Sequence, residues 1–322
     1  MKRASAAVIA AIAFTAVQSA SAQPAYPTKA VRIVVPSSAG GGTDIITRIV
    51  APKLAQSLGQ QIVIDNRPGA GTMIGGEIVA KSPPDGYTLL MCVSTLATNP
   101  VIYRKVPYNA LTDFAPVTLV LTASNVLVVH PSLPPRTVKE LIAFAKTRPG
   151  QLNFASAGLG TGPHLSMELF LSITGLRMVH VPYKGSAPAM VDLIAGQVSV
   201  MAATALTGIP HIRAGRLRAL GVTGAKRTDA APDVPTIAEA GVPGYEAVQW
   251  YGMVAPANTP REIVTRLNRD MLASLQAPDI KEKFAADGGD PAGTSPEEFG
   301  RYIKTETEKW QKVAKAAGIT PE

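Results

Sequence analysis

Residues 31–44 read VRIVVPSSAGGGTD, and residues 152–164 read LNFASAGLGTGPH. Each stretch begins as an extended run, turns glycine-rich, and then enters sequence with helical character. The spacing predicts strands over 31–36 and 152–156. It predicts helices from Asp44 to Leu58, stopped by Gly59, and from Pro163 to Ile173, with His164 in its first turn. A strand that passes through glycines into a helix is a half-finished anion site. The helix N-terminus offers unpaired N–H groups and a partial positive charge, and glycine lets the backbone approach without a Cβ. Phosphate, sulfate and carboxylate all suit such a turn.

Working outward, the same plan repeats. After the first helix come strand 61–66, the turn RPGAGT, a helix reaching about Lys81, and strand 87–93 with a short helix from about Ser94. This βαβαβ order predicts a parallel sheet covered on both faces. The second series holds strands at 152–156, 178–183, 198–204 and 217–223, with helices between them. Extended segments at 117–121, 125–131 and 250–256 read as crossings between two lobes. Residues 228–247 read as loop with one short helix, and three helices follow at about 260–276, 278–287 and 295–317. The expected fold is therefore α/β with two lobes, each a mainly parallel sheet flanked by helices, and a ligand cleft between them. Residues 23–122 and 246–322 form one lobe and residues 123–245 the other.

Residues 1–22 read as a separate piece. Lys2 and Arg3 precede an apolar run, Ala6 to Val17, and Ala20-Ser21-Ala22 supplies small residues for cleavage before Gln23. This pattern predicts a secretory signal peptide. Its apolar run falls short of the ~20 residues that span a bilayer. Of the 31 basic residues, 29 lie beyond it, against 23 acidic ones. These charges are scattered and not interleaved with aromatics, so the pattern excludes a nucleic-acid groove and leaves a mildly basic surface. The single cysteine, Cys92, sits in the apolar run YTLLMCV and reads as a buried strand residue. No disulfide within the chain is possible.

Familiar catalytic and cofactor motifs are missing. G-x-G-x-x-G fails at Ile45 and at Pro163, and neither glycine loop carries the G-K-[ST] ending of a P-loop. His130, His164, His180 and His211 share no metal-like spacing, and no G-x-S-x-G elbow occurs. Lys184, after strand 178–183, reads as a solvated lysine before a Schiff-base one. Asp44 reads as a first-turn helix residue before a ligand contact. His164 fits either a ligand contact or a packing role. No cofactor or metal is expected.

The stretches YPTKAVRIVVPSSAGGGTD, DNRPGAGTMIGGEIVAKSPPDGYTLL, FASAGLGTGPHL, HVPYKGSAPAMVDLIAGQV, VPTIAEAGVPGYE and WYGMVAPANTP carry a resemblance that runs almost end to end from Tyr26. Together they resemble the periplasmic substrate-binding proteins of tripartite tricarboxylate transporters, the Bug or TctC-like family. The resemblance implies a type II-like two-lobe periplasmic binding fold, no enzyme activity and no cofactor. It implies a monomer, a small carboxylate ligand (organic acid, amino acid or aromatic carboxylate) and membrane transporter subunits as partners. By position it implies ligand contacts at Ser37, Ser38, Ala39, Gly40, Gly41, Gly42, Thr43 and Asp44, and at Ala70, Gly71, Thr72, Ser94 and Thr95. On the second lobe it implies Ser156, Ala157, Gly160, Thr161, His164, Tyr183, Lys184, Thr204 and Ala205. Backbone groups and water, rather than an arginine, hold the carboxylate in such proteins. The sequence departs from the family pattern after Pro36, where an aromatic is usual and Ser37 stands. That change widens and wets one wall of the cleft.

Two other readings share this sequence. A ligand-sensing partner of a membrane kinase has the same cleft. A secreted α/β enzyme requires a nucleophile and a base converging there.

Overall fold

Val31, Ile33, Val34 and Val35 are buried to the last square ångström, on both faces of one strand. Such a strand has to lie mid-sheet, and in the computed structural model it does. The structure describes residues 26–317, so the signal-peptide expectation falls outside the described residues. The strand β1 (Val31–Val35) leads into α1 (Gly42–Leu58), then β2 (Ile62–Asn66), a 3₁₀ turn at Ala70–Thr72, α2 (Met73–Ala80), β3 (Thr88–Val93) and α3 (Thr95–Ile102). The strands β2 and β3 flank β1, both parallel to it.

Next comes β4 (Phe114–Val129), a single strand where the sequence pattern predicted two separate extended segments. Thr122, Ala123 and Ser124 between them contain no glycine or proline, so nothing interrupts the pairing. The second set follows: α4 (Val138–Lys146), β5 (Asn153–Ser156), α5 (Gly162–Thr174), β6 (Val179–Pro182), α6 (Ser186–Ile194), β7 (Val200–Thr204), α7 (Ala205–Arg213) and β8 (Arg218–Val222). The short helix predicted in residues 228–247 is replaced by consecutive turns. The chain returns through β9 (Val248–Pro256) and ends with α8 (Arg261–Gln276), α9 (Pro278–Ala286), β10 (Gly289–Pro291) and α10 (Pro296–Ala317).

Both long strands belong to the junction. Phe114 to Ser124 of β4 pair antiparallel with β9, whereas Asn125 to Val129 pair antiparallel with β7 and β8. β9 in turn pairs antiparallel with β3. The sheets are thus parallel within each βα set and antiparallel where the chain crosses. Helices cover both faces of each. Leu54, Leu89, Met253 and Leu267 fill one layer of the first lobe, and Leu90, Trp250 and Phe299 the other. Leu141, Phe154 and Phe170 fill one layer of the second lobe, and Val126, Met201 and Leu193 the other. Each such side chain contributes about 1.5–3 kcal/mol by leaving water. These four layers hold the carboxyl ends of the two parallel sets facing one another.

Candidate cleft between the lobes

The first wall is the turn from Pro36 to Gly42. Asn66 Nδ2 donates to the Ser37 carbonyl at 3.0 Å and to Asp44 Oδ1 at 3.0 Å, tying the turn to β2. Asp44 Oδ2 accepts from the Gly40 amide at 2.9 Å and from Arg48 Nε at 2.8 Å. Burial alone raises the Asp44 pKa, but Arg48, the Gly40 amide and Asn66 outweigh it and hold the carboxyl below the usual range. Asp44 therefore fastens the turn from behind and points away from the cleft.

The second wall is the turn at Ala70–Thr72. All three residues are left-handed, at φ 46°, 57° and 76°, although only Gly71 is a glycine. Left-handed alanine and threonine are costly, and such strain gathers at ligand sites. Thr72 Oγ1 lies 2.5 Å from Thr95 Oγ1, and Asn99 Nδ2 donates to the Gly71 carbonyl at 3.1 Å. The helix α3 thus props this turn from below.

On the second lobe the turn after β5 is built on two histidines. The His164 and His180 rings stack with centroids 4.2 Å apart, and Phe154 stacks on His180 at 4.8 Å. His164 Nδ1 accepts from the Gly160 amide at 3.1 Å, and His180 Nε2 lies 2.6 Å from Ser156 Oγ. Burial, then the neighbouring His180, pushes the His164 pKa down to about 4, and burial pushes His180 to about 4. Both rings are neutral at pH 7. As the pH falls from about 6.5 to 4, the unfolded chain binds protons that the folded one refuses, so stability drops across that window. Urea unfolding at pH 4.5 is expected to show a lower midpoint than at pH 7, and His180→Gln should shrink the difference.

The cleft itself is lined by Ser37, Gly42 and Thr43 of the first turn and by Gly69 to Thr72 of the second. Ala157, Thr161, Tyr183 to Ser186 and Thr204 face them, with Gln249 and Tyr251 at the back. Helices α1, α5, α6 and α7 all begin here, at Gly41, Thr161, Gly185 and Thr204, and no side chain caps any of the four. Their first N–H groups are the kind that an anion satisfies. The Ser37 and Tyr251 hydroxyls are buried without a hydrogen-bond partner. The lining contains one lysine, Lys184, and no arginine.

The lobes meet through glycines. A Cβ on Gly42 would stand 3.2 Å from Thr204 Oγ1 of the second lobe, and 3.0 Å from the Tyr251 hydroxyl of its own lobe. One on Gly162 would collide with the Gln249 amide, and one on Gly185 with the Ser38 hydroxyl.

Of the residues expected at the ligand, Ser37, Gly42, Thr43, Ala70, Gly71, Thr72, Ala157, Thr161, Tyr183, Lys184 and Thr204 line the cleft. The others lie behind it. Asp44, Ser156, Gly160 and His164 fasten the turns; Ser94, Thr95 and Ala205 are buried beneath them. Ser38, Ala39, Gly40 and Gly41 shape the rim of the first turn. Thr161 is at the surface of the cleft, but its hydroxyl donates to the Gly158 carbonyl at 2.6 Å. Sequence reasoning missed Gln249 and Tyr251, whose signal was the crossing strand WYGMVAP. Ser156 and His180 approach like a nucleophile and base, yet Ser156 is fully buried, which removes the hydroxyl from any substrate. Among the described residues no group of three or more His, Cys, Asp or Glu side chains is placed to hold a metal, and no helix is long and apolar enough to cross a membrane.

The family model for the tripartite tricarboxylate transporter family receptor matches residues 46–319. The chain belongs to this family. It is similar to protein BugT of Bordetella pertussis, at 40% identity over 91% of this chain and 90% of that protein. Among solved structures it is similar to R. palustris Rpa4515, whose structure holds adipate, at 43% identity and a TM-score of 0.90, covering 92% of this chain and all of the other. MatC from Rhodopseudomonas palustris, solved with bound malate, matches at 31% identity and a TM-score of 0.86, over 90% of this chain and all of that one. The fold is that of two-lobe periplasmic binding proteins, and the family is one of solute receptors rather than enzymes.

Proposed function

We propose that this receptor captures a small carboxylate in the interlobe cleft and presents it to the membrane subunits of a tripartite tricarboxylate transporter. The observation that carries the reading is the convergence of four uncapped helix N-termini on one cleft, beside two buried hydroxyls that have no partner. Those groups are donors, and an ionised carboxylate is an acceptor with two oxygens to satisfy. Charge-assisted hydrogen bonds of this kind are the stronger class. Ser37 is a small polar side chain, which leaves room for water to complete the set.

Export by a signal peptide at residues 1–22, and lobes divided near residues 122–123 and 245–246, complete the reading. A ligand held between lobes closes them about the β4 and β9 crossings. The adipate and malate seen in related proteins supply the first probes for this chain. Thermal unfolding across a panel of mono- and dicarboxylates, each paired with its neutral amide, tests the proposal. At least one acid should raise the unfolding temperature while its amide leaves it unchanged. Equal shifts with acid and amide would remove the carboxylate from the account. Uptake of that acid by cells lacking the receptor gene tests delivery separately.

A further inference from the structure

Gly160 is held at both ends. Its amide donates to His164 Nδ1 at 3.1 Å, from within the second lobe. Its carbonyl accepts from Thr98 Oγ1 at 3.0 Å, from the first lobe. Thr98 lies on α3 and is 1% exposed. Gly160 adopts φ +72°, and a Cβ there would stand 3.2 Å from Ile102 and 3.6 Å from Asn99. Within the turn between Ala157 and Thr161, both of which line the cleft, Gly160 is thus bonded both across to α3 and down to His164.

We propose that Gly160 is a closure latch, fastened across the cleft by the Thr98 hydroxyl and from beneath by the neutral His164 ring, and released when that ring takes up a proton. The Thr98 bond exists only while the lobes are together. The His164 bond needs an unprotonated Nδ1, because a protonated one is a donor and meets the Gly160 N–H head on. Protonation also sets a cation 4.2 Å from the His180 ring.

The groups facing His164 are few. Glu168 of its own helix stands 3.6 Å from Nε2. From β6 comes His180, and from β5 the apolar Phe154. At Gly160, α3 presents Thr98, Asn99 and Ile102, none of which titrates. The low pKa of His164, about 4, places release in the acid range. Thr98 and His164 are positioning residues, acting on the ligand through the turn. The functional consequence rests on the cleft being the ligand site, but the latch itself does not.

The test is the hydrogen-exchange protection of the Gly160 amide in the purified full-length receptor, read by NMR from pH 6.5 to 3.5 and corrected for intrinsic exchange. Protection should fall about tenfold or more as the pH drops, at pH values where the core amides of Val34 and Val128, which report the global stability, are still far better protected. His164→Asn keeps an acceptor and should keep protection flat. His180→Gln removes the repelling neighbour and should move the fall to higher pH. Thr98→Val should lower protection equally at every pH, and weaken binding of malate or adipate, whichever the receptor takes, by roughly 2- to 12-fold. A pH-independent Gly160 amide in the wild type overturns the latch, as does an unchanged fall in both histidine variants. Neither result bears on whether a carboxylate binds, which the acid-and-amide panel decides.

Discussion

A Gly42→Val receptor is expected to fold normally and to bind its ligand roughly 5- to 150-fold more weakly. Gly42 opens α1, where valine is a better helix former than glycine. Its backbone is not left-handed, so the substitution brings no strain of its own. The cost arises partly across the cleft, at Thr204, and partly within the lobe, at Tyr251. The first added carbon stands 3.0 Å from the Tyr251 hydroxyl and 3.2 Å from Thr204 Oγ1. Overpacking of this kind costs about 1–3 kcal/mol; the Thr204 share falls on the closed form alone, whereas Tyr251 belongs to the same lobe as Gly42 and its share burdens the open form as well. Unfolding without ligand should change by less than the binding does, calorimetry should show the loss of affinity, and small-angle scattering with ligand should show a larger radius than wild type. One residue earlier, a Cβ on Gly41 would meet the Ser38 carbonyl at 3.1 Å, within its own turn, and should act on the turn instead.

Tyr251→Phe separates binding from stability in the opposite sense. The Tyr251 hydroxyl is buried, has no hydrogen-bond partner, and faces the cleft beside Gln249. Burial drives its pKa above the ordinary phenol range, with the nearby Gln249 amide pulling slightly the other way, so the group remains a neutral donor. An unsatisfied buried hydroxyl costs the empty protein about 1–3 kcal/mol, and a hydrogen bond to a charged group returns about 1.5–3 kcal/mol. Phenylalanine should leave the ligand-free receptor as stable as wild type or more so. It should weaken ligand binding about ten- to a hundredfold. Equal loss of stability and affinity would mean that the hydroxyl serves the fold.

Much of this was legible in the two glycine loops. VRIVV reads as a strand because no polar residue but Arg32 interrupts it, and the paired loops marked both of the turns that face each other across the cleft. The crossing was less legible. Residues 122–124 look like a break between strands because they are small and polar, but β9 pairs with them and the strand runs on. Behind the loops, residue type misled. Thr95, Ser156 and His164 carry the right chemistry for a ligand, yet their side chains are engaged with Thr72, His180 and Gly160, in the supports of the turns. The direction of a side chain at a helix start follows the residue's place around the helix axis, and which side faces the cleft depends on how the helix is docked, a matter of tertiary packing. Gln249 and Tyr251 failed to register for a different reason. They lie some two hundred residues from the first loop, on a strand whose alternation says only that one face is covered.

The central claim is that donors fixed in the backbone and hydroxyls hold the ligand's carboxylate, with no ion pair required. Calorimetric titration of one carboxylate, the tightest of the panel, against three proteins tests it most directly: wild type, Tyr251→Phe and Lys184→Met. Lys184 is the one cation in the cleft lining. The account predicts that Lys184→Met retains binding within about tenfold while Tyr251→Phe loses more. Binding abolished in Lys184→Met and unchanged in Tyr251→Phe would contradict it.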